Sequence, residues 1–222
     1  KQRIGMLARR NAVDADWKIN MRKILVAGNW KMHGSNTMVR ELLEGLLAGS
    51  SADGKADLLV FPSFSYLSLT GSILSGKHIR WGGQNLNPHA QGAHTGETSG
   101  AMLKDLGCHY VLVGHSERRS IYGESDTDVA LRFKAALDAG LHPVLCVGES
   151  LQQREEGQTE AVVSRQLDAV IDSVGIQACR RAVIAYEPVW AIGTGLTATP
   201  QQAQSVHAFI RDKLASLDGI IA

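Results

Sequence analysis

The sequence predicts an α/β fold built on a parallel sheet, and three observations lead there. Short apolar runs rich in β-branched residues recur at 24–27, 58–61, 79–81, 110–113, 143–147 and 182–185. Segments with helical periodicity separate them, the pattern of successive βα units. The runs are continuously apolar rather than alternating, as in strands covered on both faces.

Taken in order, the first run leads into Asn29, Trp30 and Lys31. If the strand continues, Asn29 and Lys31 share one side of it, and an amide beside a cation suits an oxyanion. The third run ends in Gly82-Gly83, which fits a bulge or close backbone approach, and is followed by Gln84 and Asn85. After the fourth come Gly114, His115, Ser116 and Glu117. His115 is expected near a helix N-terminus, whose field favours a neutral ring acting as hydrogen-bond donor. Ser125 with Asp126 and Asp128 reads as the cap and acidic first turn of a helix whose stripe includes Val129, Phe133 and Leu137. Gly140 ends that helix before a strand opening at Pro143.

The sixth run leads to Glu187, a carboxylate at the edge of apolar surroundings and a candidate general base. Behind it, Pro188, Val189, Trp190, Ala191, Ile192, Gly193, Thr194 and Gly195 have the composition of a closing lid whose glycine amides suit a phosphate. Thr199, Pro200 and Gln202 then form a capping box, with Val206, Ile210, Leu214 and Leu217 on one helix face.

Six βα units fit either a doubly wound open sheet or part of a (β/α)8 barrel. Chemistry-bearing residues follow the first, third, fourth and sixth strands, and a barrel gathers so many strand ends into one ring. The barrel is therefore the expected fold, with six of its βα units in this chain. Residues 21–222 form that domain; residues 1–20 read as an extension outside it.

The net charge is +1, of which +3 falls in the first twenty residues, so residues 21–222 carry no nucleic-acid footprint. No apolar stretch approaches the roughly 18 residues of a membrane span. Cys108, Cys146 and Cys179 form no CxxC pair and read as reduced thiols, which points to the cytoplasm. No metal cluster and no cofactor are expected.

Each polar residue alone has an ordinary structural use: a satisfied histidine, a salt-bridged glutamate, a solvated lysine. Longer motifs are more specific. Residues 27–32 (AGNWKM), 113–119 (VGHSERR) and 185–195 (AYEPVWAIGTG), with 146–149 (CVGE), resemble the triosephosphate isomerase family, and the similarity runs from Met21 to about Ala222.

The resemblance implies a TIM barrel that interconverts glyceraldehyde 3-phosphate and dihydroxyacetone phosphate through an enediolate, without a cofactor. It implies that Glu187 is the base and His115 the neutral electrophile, that Lys31 and Asn29 bind substrate and stabilise the enediolate, and that Glu117 positions Lys31. Gly193 would offer its amide to the phosphate. The segment 91–97 (Gln91, Gly92, Ala93, His94, Thr95, Gly96, Glu97) resembles the family's protruding loop and implies a homodimer. The family's pattern also continues through two further βα units that carry phosphate-binding motifs, so the polypeptide is expected to run past Ala222. An inactive fragment serving as an assembly or binding module is the alternative. A lyase on the same barrel is a weaker one, because no strand-end lysine stands in an obvious apolar pocket.

Overall fold

A computed structural model describes residues 24–192, 195 and 197–221. The proposed extension 1–20 and the lid residue Gly193 lie outside the described residues. Among the described residues six parallel strands form one sheet in chain order: β1 (Ile24–Asn29), β2 (Ala56–Phe61), β3 (Ile79–Gly83), β4 (Tyr110–Val113), β5 (His142–Val147) and β6 (Val183–Tyr186). All six expected runs are strands. The first and third extend two residues further, and the sixth starts at Val183 because Ala182 closes a preceding 3-10 turn.

The helices are α1 (Asn36–Ala48), α2 (Leu67–Leu74), α3 (Gly100–Asp105), α4 (Ser116–Ser120), α5 (Asp126–Asp138), α6 (Leu151–Glu155), α7 (Thr159–Val174) and α8 (Pro200–Leu217). The two predicted caps are in place. The Ser125 hydroxyl accepts the Asp128 N–H while the Asp128 carboxylate accepts the Ser125 N–H. Thr199 and Gln202 do the same for α8, with Pro200 in its first turn. Each pair satisfies amide groups that a helix start leaves without partners.

The sheet is covered on both faces. On one side Val60, Val111, Val113, Leu145 and Val147 pack with helix residues such as Phe133, Leu167 and Ile210. On the other, Leu59, Phe61, Leu112, Val144 and Cys146 form a separate cluster inside the curl of the sheet. Alternate residues of one strand thus enter different cores, which is why the runs read as continuously apolar. β1 departs from that expectation. Ile24 and Val26 are more than half exposed, because β1 is a lateral strand, paired on one side only, to β2.

The Gly82-Gly83 pair is a close approach, as expected. A Cβ on Gly82 would stand 2.4 Å from the Tyr110 carbonyl oxygen, so β3 and β4 could not keep their pairing around a larger residue.

Candidate active site

The carboxyl ends of the strands share one rim, and every described candidate residue sits on it. Asn29 is the last residue of β1, and its Oδ1 accepts the Lys31 N–H at 2.9 Å. That bond turns the chain, leaving Lys31 at φ 52, a left-handed conformation unfavourable for a side chain with a Cβ. The expectation that Asn29 and Lys31 share a side through strand alternation is therefore corrected: the strand has ended, and a turn presents the lysine. Gln84, just beyond β3, stabilises the turn by donating from Nε2 to the carbonyls of Lys31 and Phe61, each at 2.8 Å.

The Lys31 ammonium reaches across the rim to Glu117 on α4, with Nζ 2.7 Å from Oε1. Both side chains are a little over one-third exposed, so the pair contributes little to stability and chiefly fixes where the ammonium points.

His115 is delivered by a tight turn. Gly114 has φ 70, and a Cβ there would lie 2.9 Å from Arg119 and from both Val129 methyl groups. The turn makes His115 the residue that opens α4, and its Nδ1 accepts the Glu117 N–H at 3.2 Å. With Nδ1 accepting, the proton of a neutral ring sits on Nε2, which faces the rim. Nε2 lies 3.0 Å from Oε1 of Glu187. The other oxygen of Glu187 accepts the Ser116 N–H at 3.0 Å, and the carboxylate is mostly buried.

Asn29, Lys31, Gln84, His115 and Glu117 line a cavity of about 150 Å³, with Leu112, Phe64 and Tyr122 among its apolar walls. Glu187 borders it through His115. A larger cavity of about 320 Å³ lies between β6 and α8. His207 and Arg211 are the ionisable groups of its mostly apolar wall, apart from the buried Cys179 thiol, and no acid–base pair converges there. The smaller, polar cavity is the better place for proton chemistry.

The start of the segment expected to act as a lid is anchored by Glu149, to which the sequence assigned no role. Glu149 is fully buried, and its Oε1 accepts from Tyr186 Oη (2.9 Å), Trp190 Nε1 (3.1 Å), Arg154 Nη1 (3.1 Å) and Thr159 Oγ1 (3.4 Å). Arg154 also stacks over the Trp190 ring. Burial, and next the Glu149 charge, push the Tyr186 hydroxyl above its usual range. The available signal was a glutamate directly behind the apolar run of β5. Nearby, burial and then the Glu187 charge hold the Cys146 thiol protonated.

Among the described residues no group of three or more His, Cys, Asp and Glu side chains converges as metal ligands would, and no helix is long and apolar enough to cross a membrane.

The family model of triosephosphate isomerase matches residues 24–221. The triosephosphate isomerase of Thiobacillus denitrificans is 58% identical over 202 residues, covering 91% of this chain and 80% of the relative. That of Hydrogenovibrio crunogenus is 56% identical over 203 residues, with the same coverage. That of Nitrosomonas eutropha is 54% identical over 197 residues, covering 89% of this chain and 78% of the relative. With a parallel sheet curled around a strand-end site and this degree of identity, the chain belongs to the triosephosphate isomerase family.

Proposed function

We propose that this protein interconverts glyceraldehyde 3-phosphate and dihydroxyacetone phosphate by moving a proton between adjacent carbons. The observation that carries the reading is the pairing of the Glu187 carboxylate with His115 Nε2, opposite a fixed ammonium at Lys31. Glu187 removes a proton from the carbon beside the carbonyl. The electron pair moves into a carbon–carbon double bond, and the carbonyl oxygen becomes an enediolate oxygen. His115 donates a hydrogen bond from Nε2 to that oxygen, and Lys31 and Asn29 stabilise its charge. The hydroxyl proton crosses to the former carbonyl oxygen over the His115 ring, and Glu187 returns its proton to the neighbouring carbon. Glu117 holds Lys31 in place, and the Gly193 amide closes on the phosphate. The sequence of steps calls for no cofactor.

One rearrangement is built into this proposal. Oε2 of Glu187 rests on the Ser116 N–H. Substrate must draw the carboxylate off that amide before it can reach a carbon-bound hydrogen. Running the reaction in deuterated water tests the assignment: turnover with deuterium entering the carbon skeleton is expected. Isomerisation without solvent exchange, or none at all, sinks it.

The assembly we propose is a homodimer in the cytoplasm, formed through the loop 91–97. Every residue of that segment is exposed, yet its base is tied by Asn87 Nδ2 to Glu97 Oε2 at 3.0 Å and by Glu97 N–H to the His94 carbonyl. Such an ordered protrusion suits insertion into a second copy, near the exposed Met32 and Tyr122 at the mouth of the site. Three buried, unpaired thiols suit a reducing compartment. Light scattering at micromolar concentration giving a monomer mass would overturn the dimer.

A further inference from the structure

Gln166 lies on α7 beside Val162, Val163, Leu167 and Val170, the face that enters the core, and is itself 5% exposed. A primary amide in such surroundings is tolerated only when its polar atoms have partners. Both are given to one residue. Oε1 accepts the Gly148 N–H at 2.9 Å, and Nε2 donates to the Gly148 carbonyl at 3.1 Å.

Gly148 is the first residue beyond β5, where the ladder to β6 stops at the Val147–Tyr186 pair. It is also the surface on which Glu187 rests. Glu187 donates its N–H to the Val147 carbonyl at 2.8 Å, and a Cβ on Gly148 would stand 1.9 Å from the Glu187 carbonyl oxygen. On the far side of Gly148, Glu149 binds Tyr186, the residue before Glu187, and Trp190, three residues after it.

We propose that Gln166 is a positioning residue for Glu187: by clamping the N–H and the carbonyl of Gly148, it holds still the two peptide groups flanking Gly148, against which the backbone of Glu187 is seated. The proposal rests on the reading of Glu187 as the base. Gln166 itself touches no reacting atom. Without it the Gly148 N–H and carbonyl lose these partners, the two flanking peptide groups can rotate, and the seat of Glu187 moves with them. Displacing a reacting group by about 1 Å costs on the order of 100-fold in rate, so even a partial shift is measurable.

The experiment is a double-mutant cycle in the full-length protein with kcat, KM and thermal midpoint measured for each variant. Gln166→Met keeps the side-chain length and removes both hydrogen bonds. It is expected to lower kcat about tenfold or more while KM stays within about twofold. In a Glu187→Asp background, where the carboxylate is already withdrawn, the same change is expected to cost less than about threefold. Gln166→Glu keeps the acceptor for the Gly148 N–H, loses the donor, and covers the case in which the methionine variant does not fold; its kcat is expected between those of Gln166→Met and the parent. A purely structural glutamine would lower the thermal midpoint, leave kcat per folded molecule at the parental value, and give effects that multiply across the cycle. Either of the last two results overturns the positioning role. A parent protein that fails to isomerise overturns instead the reading on which it rests.

Discussion

Nε2 of His115 and Oε1 of Glu187 are 3.0 Å apart, although the two residues sit at the ends of strands two places apart in the sheet. The contact exists because β4 and β6 curl towards each other across β5: the turn at Gly114 delivers His115, and the Val147 carbonyl, accepting the Glu187 N–H, holds Glu187 beside it.

Shortening the base tests that geometry directly. Glu187→Asp withdraws the carboxylate by about 1 Å while its backbone bond to Val147 is retained. Turnover is expected to fall about 100-fold or more, with the thermal midpoint little changed. Near-parental turnover would remove Glu187 from the role of base.

Lys31 and Glu117 give a test in which stability and activity separate. Glu117→Gln leaves a hydrogen-bond acceptor within reach of Lys31 Nζ but removes its counter-charge. Because the pair is part-exposed, stability should change by less than about 1 kcal/mol. Activity should fall at least tenfold, since the ammonium is no longer held where it meets the substrate. Equal loss in both quantities would show that Glu117 supports the fold rather than the lysine.

The cap of α5 makes a prediction about acid. Hydrogen bonds from Ser125, side chain first and then backbone, hold the Asp128 carboxyl below its usual range. A depressed carboxyl stabilises the fold above its unfolded value, near pH 4, and loses that contribution as the pH falls through the lower, folded value. Ser125→Ala should cost about 1 kcal/mol at neutral pH. The gap between variant and parent should narrow in chemical denaturation as the pH is taken below about 4. A gap that stays constant down to pH 2 would mean that the carboxylate is not part of the cap.

The thiols provide a probe of integrity. Cys108, Cys146 and Cys179 are buried, and burial pushes the Cys108 thiol up to about 12 and raises the other two. A thiol-specific reagent at pH 8 should react slowly with the native protein and rapidly after denaturation, because only the thiolate attacks. Rapid native reaction at Cys146 would contradict the packing inside the curl of the sheet.

Sequence alone determined what depends on near neighbours. Strands, helix caps and the chemistry at each strand end are set by hydrophobic period, by side chains that reach amides three residues away, and by the order of residues just past an apolar run. Ser125 with Asp128 and Thr199 with Gln202 behave as their spacing dictates. Tertiary structure decided which of these residues meet. Lys31 finds Glu117 86 positions away, and Ser116 finds Glu187 71 positions away, because the sheet curls and brings distant strand ends onto one rim. It also decided that Lys31 leaves the strand, since a turn stabilised by Asn29 and Gln84 overrides the alternation that a continuing strand would impose. The partners of Glu149 and Gln166 were hidden for the same reason. A buried polar residue is visible in a helical or strand pattern, but the group that satisfies it is chosen by packing, and packing is a property of the folded chain.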